Sequence, residues 1–186
     1  MAAYDEELLE AARRLLLRRA DQRGKLPAAR IRRSISTSYY ALFHFILDEV
    51  SLRVVGTGND LRVRRRVLAR TLTHTGVKFA LDKVRGMSAD VSVADFLRQV
   101  GGPAANVTVP PFIQNIAKAF ADAQAKRHDA DYDLNKALSE VDARLLRARV
   151  RRVIAAWRGA TSKADRDFKH ALCILMLLKG RLRPDQ

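Results

Sequence analysis

The stretch from Pro27 to about Val54 constrains this chain more than any other. It holds no glycine and, after Pro27, no proline, and Ile31, Ile35, Tyr39, Leu42, Ile46 and Val50 recur along it at helical spacing. Tyr40, Phe43 and Leu47 add a second apolar face. Pro27 suits the first turn of a helix, where its missing N–H would have no partner anyway. A helix with apolar residues on nearly all sides must be covered on nearly all sides, so this element is the centre of the fold. No segment of the chain shows sustained two-residue alternation. The chain is therefore expected to be all-α, most simply an antiparallel helical bundle of about four to five long helices plus short ones.

The remaining elements follow from apolar spacing and from the residues that start and stop helices. Residues 5 to 22 predict a first helix, with Asp5, Glu6 and Glu7 where negative charge complements the helix dipole, and Gly24 marks its end. Gly56 to Asp60 reads as a turn in which Asn59 or Asp60 caps the next helix, a basic one from Leu61 to about Thr73. His74-Thr75-Gly76 breaks it, and a short helix is expected over Val77 to Val84, then another near Val93 to Val100. Residues 86–109 read as a less regular insertion within a single domain spanning 1–186. Pro110-Pro111 opens a helix to about Ala125, and Asn135 to Trp157 predicts another along Leu138, Val141, Leu145 or Leu146, Val150, Val153 and Trp157, stopped by Gly159. Thr161 or Ser162 caps a last helix through Lys179, with Phe168, Ala171, Leu172, Leu175 and Leu178 facing inward.

A chain of 186 residues with 48% hydrophobic content suffices for one ordinary core. Its 35 Lys and Arg against 20 Asp and Glu leave a formal net charge of +15, which attracts polyanions in a salt-screened, sequence-independent way. Two readings of that excess stand: arginines on solvated faces, common in chains from high-GC genomes, or a dedicated nucleic-acid surface. Cys173 is the single cysteine, so neither an intrachain disulfide nor a cysteine-based zinc site can form, and a reducing cytoplasm is the expected compartment. No signal peptide is read at the start, and the longest apolar run, Ala171 to Leu178, is far shorter than the roughly 20 residues of a membrane span. His74 and His170 lack partners at metal-ligand spacing, and no metal or cofactor is expected.

The densest mixed chemistry lies in Arg127-His128-Asp129-Ala130-Asp131-Tyr132-Asp133, expected at a helix junction. Arg127 carries a permanent charge on a planar fork suited to phosphate or carboxylate. His128 can move a proton near neutral pH, Asp131 can orient a base or pair with Arg127, and Tyr132 adds a hydroxyl. Such groups serve RNA backbone cleavage, which needs a proton acceptor, a proton donor and a cation for the charge building on phosphorus. The same spacing equally describes an ordinary Arg127–Asp131 ion pair and a helix-start Asp133.

Arg32-Arg33-Ser34-Ile35-Ser36-Thr37-Ser38-Tyr39-Tyr40-Ala41-Leu42-Phe43-His44 resembles the second-helix signature of HEPN domains. Lys126 to Asp133 is similar to the R-x-x-A-D-Y-D segment of bacterial HEPN-like proteins, and His74 to Lys78 and Asp165 to Phe168 look like the same group. The resemblance covers about residues 27 to 180. It implies a HEPN-like bundle that forms a homodimer, joining polar motifs of two subunits in one basic cleft for RNA or a nucleotide. It also implies either a metal-independent toxin-type ribonuclease, often beside a small nucleotidyltransferase antitoxin, or an inactive binding module. The family's ribonucleases place a histidine after the arginine with four to six residues between the two; here those positions hold Tyr132, Asp133 and Leu134. The catalytic candidates are Arg127, His128, Asp131 and Tyr132. Arg33, Tyr40, His44, Arg62, Arg65 and Arg66 are the candidate nucleic-acid contacts, with packing as the competing role for Tyr40 and His44. The alternative function is a non-catalytic adaptor of a toxin–antitoxin or defence pair.

Overall fold

The computed structural model describes residues 3–18, 24–86, 91–99 and 108–178, and among them the chain is all-α with no strand. The helices are α1 (Tyr4–Leu15), α2 (Ala28–Val55), α3 (Arg62–Ala69), α4 (His74–Asp82), α5 (Val91–Gln99), α6 (Pro111–Tyr132), α7 (Glu140–Gly159) and α8 (Lys163–Leu177), with a 3-10 turn at Asn59–Leu61. They fall into two compact units, Met1–Phe45 with Ala119–Ala155 and Ile46–Lys118 with Ala156–Gln186. Residues of α2, α6 and α7 belong partly to one unit and partly to the other.

In the first unit every adjacent helix pair runs antiparallel, as the contacts show directly. Between α1 and α2, Tyr4 meets His44 while Ser34 Oγ donates to Ala12 O, so rising numbers on one helix meet falling numbers on the other. The same order holds for α2 and α6, through Ser36–Asp131, Tyr40–Arg127 and Phe43–Phe120. It holds again for α6 and α7, through Lys126–Asp142 and Arg149–Asp122, and for α7 and α1, through Arg18–Glu140 and Arg144–Leu16 O. The up-and-down ring encloses Ile35, Tyr39, Leu42, Phe120, Ala123, Leu146 and Val150, all buried. Burial of each large apolar side chain contributes about 1.5–3 kcal/mol. Burial also pushes the Tyr39 phenol well above its usual range.

The second unit is built on α8, against which α4 and α5 both pack. Phe168, Leu172 and Leu175 are buried on α8, with Val77 and Leu81 on α4 and Val93 on α5. Lys169, 2% exposed, donates to Trp157 O and Ala160 O, and its Nζ stands 5.3 Å from the ring centres of both Phe112 and Trp157. Trp157 Nε1 donates to Glu49 Oε2 at 2.7 Å. Burial, with Arg53 nearby, lowers the affinity of Lys169 for its proton.

Several expected boundaries move, each for a local reason. The first helix ends at Leu15, where Arg30 of α2 donates to Arg14 O, Leu15 O and Leu17 O and so satisfies carbonyls a longer helix would have used. Neither Asn59 nor Asp60 caps through its side chain; the turn tightens into 3-10 geometry and runs into α3. His74 begins α4 instead of breaking a helix, because Thr73 accepts from Gly76 N. α6 extends to Tyr132, and 135–139 are not helical, since Asp133 Oδ1 takes both Asn135 N and Lys136 N. α7 then starts from a reciprocal Ser139–Asp142 box. Val141 and Leu178, expected to face inward, are 62% and 43% exposed, and of the alternatives Leu145 and Leu146 it is Leu146, 2% exposed, that is buried. Of the expected insertion, 91–99 form α5, while 87–90 and 100–107 lie outside the described residues, as do the expected helical residues 19–22 and Lys179.

Candidate functional site

One face of α2 supplies the base of the site. Arg32, Ser36 and Tyr40 follow one another at intervals of four, which places them one above the next on a single side of the helix. The last two turns of antiparallel α6 bring Arg127 and Asp131, also four apart, against that side. The cluster is therefore helical, not interhelical as its composition suggested, and its rigidity comes from α6.

Arg127 is the hub. Its Nη2 donates to Tyr40 Oη at 3.0 Å and to Tyr132 Oη at 3.4 Å, and its guanidinium carbon lies 5.6 Å and 5.3 Å from the two ring centres. Nε lies 2.7 Å from Asp131 Oδ2, yet its N–H does not point along that line, so the contact is an ion pair and not a hydrogen bond. Burial is the largest single influence on this guanidinium and weakens its hold on the proton. Tyr40, Asp131 and Tyr132 together outweigh burial and leave its pKa above the ordinary arginine value. Asp131 is held from its other side by the hydroxyl of Ser36, which is 2% exposed. With both oxygens engaged, Asp131 orients Arg127 and is not poised as a base.

The other predicted residues divide cleanly. His128 is exposed, with its ring 5.2 Å from that of Tyr132, which is itself 63% exposed. His44, one turn beyond Tyr40, packs edge-on against Tyr4 of α1 at 4.9 Å between ring centres. Arg33 is exposed and about 100° round the helix from its neighbour Arg32. Arg62, Arg65 and Arg66 sit on α3 in the second unit.

Two residues that hold the site together escaped the sequence reading although both stood in the quoted motif. Ser36 anchors Asp131. Arg32 closes the end of α6: its Nη1 reaches Asp129 O, Ala130 O and Asp133 O, and its Nη2 reaches Leu134 O and Lys136 O at 3.2 and 2.7 Å. The four-residue spacing from Arg32 through Ser36 to Tyr40 puts them in one row, but Arg30, Ser34 and Ser38 form a second such row, and the packing of α6 is what distinguishes the two.

No protein-family model, curated protein or solved structure matches this chain. The reading of the site therefore rests on its own geometry. What that geometry offers is a fixed cation, two phenol hydroxyls that accept from it, and one imidazole at the solvent edge. Among the described residues no three His, Cys, Asp or Glu side chains gather as a metal site would need, and no helix is long and apolar enough to cross a membrane.

Proposed function

We propose that Arg127, His128, Asp131 and Tyr132 form the phosphate-binding end of an RNA or nucleotide site in a HEPN-like homodimer. One observation carries this reading. The Arg127 guanidinium is oriented by Asp131, Tyr40 and Tyr132, while its Nη1 makes no hydrogen bond among the described residues. An arginine held in place with donors to spare is suited to a phosphate oxygen. The Tyr132 hydroxyl accepts from Arg127 and retains its own proton to donate, and His128 adjoins it.

Cleavage asks more than binding does. A metal-independent ribonuclease needs a group to accept the 2′-hydroxyl proton and another to protonate the leaving oxygen. This cluster has one imidazole, with Tyr132 where the family places a second histidine, so binding is the better-supported activity. The alternative is a non-catalytic adaptor of a toxin–antitoxin or defence pair, with a small nucleotidyltransferase as a candidate partner. The exposed apolar side chains of Leu134, Val141 and Leu145 favour a protein contact.

The test compares wild type with Arg127→Ala on labelled RNA without added metal. Loss of one charge-assisted contact should weaken binding roughly tenfold to a hundredfold, from about 1.5–3 kcal/mol, with helicity by circular dichroism unchanged. Equal RNA affinity in both proteins overturns the reading. Cleavage by wild type alone would establish the enzymatic version.

A further inference from the structure

We propose that the second unit contains a pocket for a sugar phosphate, sharing no residue with the Arg127 cluster. The pocket, about 390 Å³, lies between the last turns of α2 and α3 and is lined by Asp48, Ser51, Leu52, Arg62, Arg65 and Arg66. Its volume is within the range of small-molecule sites, towards the lower end.

Ser51 supplies the observation that points to a ligand. A helical serine normally returns its hydroxyl to the carbonyl four residues back, as Ser38 does to Ser34 O in the same helix. Ser51 is 3% exposed and its Oγ has no partner. A buried hydroxyl left unsatisfied in this way costs stability unless something outside the chain completes it. The arginines above it have different duties. Arg65 is committed, donating to Gly56 O at 2.7 Å and Gly58 O at 2.8 Å, which ties α3 to the turn where Gly56 adopts φ +100°. Arg62 and Arg66 stand one helical turn apart, exposed, and no hydrogen bond or ion pair engages the guanidinium of either among the described residues.

This arrangement selects a class of ligand. Two available guanidinium groups and a buried hydroxyl donor suit the oxygens of a phosphate. Asp48 repels phosphate but accepts from a hydroxyl, so the matching molecule carries a phosphate at one end and sugar hydroxyls at the other. Leu52 provides an apolar wall between them.

The experiment follows thermal unfolding and calorimetric titration of the full chain with ribose 5-phosphate and, separately, with inorganic phosphate. Wild type should melt at a higher temperature with ribose 5-phosphate and bind it more tightly than phosphate. Ser51→Ala should melt no lower than wild type without ligand and lose most of the ligand-induced rise. Joint Arg62→Ala and Arg66→Ala should weaken binding about tenfold or more. Asp48→Asn should narrow the preference for the sugar phosphate. Arg127→Ala should retain the full rise, which keeps this proposal independent of the one above. No rise in wild type, or an equal rise in the double arginine variant, overturns it.

Discussion

Several cations among the described residues hold helix ends, and each reaches across sequence to do so. Arg30 donates to the last carbonyls of α1, Arg32 to those of α6, Arg65 to Gly56 O and Gly58 O beyond α2, and Lys169 to Trp157 O and Ala160 O at the end of α7. The C-terminal carbonyls of a helix lack intrahelical donors and lie at the negative end of its dipole, so a buried or half-buried cation there satisfies both at once. Part of the basic surplus is thus structural, and neither a solvated exterior nor a polyanion surface accounts for all of it. Arg32→Ala is expected to lower unfolding free energy in urea by about 2–3 kcal/mol, because it strips charged donors from a string of carbonyls. Arg33→Ala, at an exposed neighbouring position, should stay within about 0.5 kcal/mol of wild type. Equal losses in the two variants would contradict the clamp.

At the scale of helices, starts were easier to read than stops. Of the two candidate caps Thr161 and Ser162, Ser162 is the one used, in a capping box with Asp165, and Ser162→Ala should cost about 1 kcal/mol in the same urea assay. Ser139 does the same for α7, with its hydroxyl and backbone N–H both serving Asp142, and a matching loss is expected there. That start was missed because Leu138 continues the helical stripe backwards through 135–139, while the Asp133 turn that interrupts it depends on a side chain bonding to the backbone. The end of α1 was misplaced for a related reason: its donors come from Arg30, on another helix. Apolar spacing reports which face is buried, and it reports Val141 wrongly because spacing alone cannot say how wide that face is.

For the molecule as a whole, charge governs the response to acid. Hydrogen bonds from Arg13 and Arg14 lower the Glu10 carboxyl from 4.5 to about 2, the Arg144 contact lowers Glu140, and the Ser139 hydroxyl and backbone lower Asp142. These groups are more acidic folded than unfolded, so the stability they contribute is present above the unfolded values. It is lost as pH falls through the folded ones, which for Glu10 means from about 4.5 down to about 2. Neutralising carboxylates also leaves the 35 Lys and Arg increasingly unopposed. The melting temperature should hold steady from pH 7 to about 5, fall below about 4.5, and recover in part on adding salt at pH 3. A flat profile down to pH 2.5 would contradict this account.

The amino-acid sequence by itself determined the all-α class, the long unbroken helix α2 and the identity of most core residues, because helical periodicity is a local property of the chain. It also placed Arg127 and Asp131 together, since four residues make one helical turn. Only the tertiary structure decided that Tyr40 and Ser36 of α2 meet that pair, that Arg32 and not Arg33 closes α6, and that Ser51 lines one pocket with the arginines of α3. Those contacts join residues distant in sequence, and their partners depend on the crossing and register of packed helices, which no local spacing encodes.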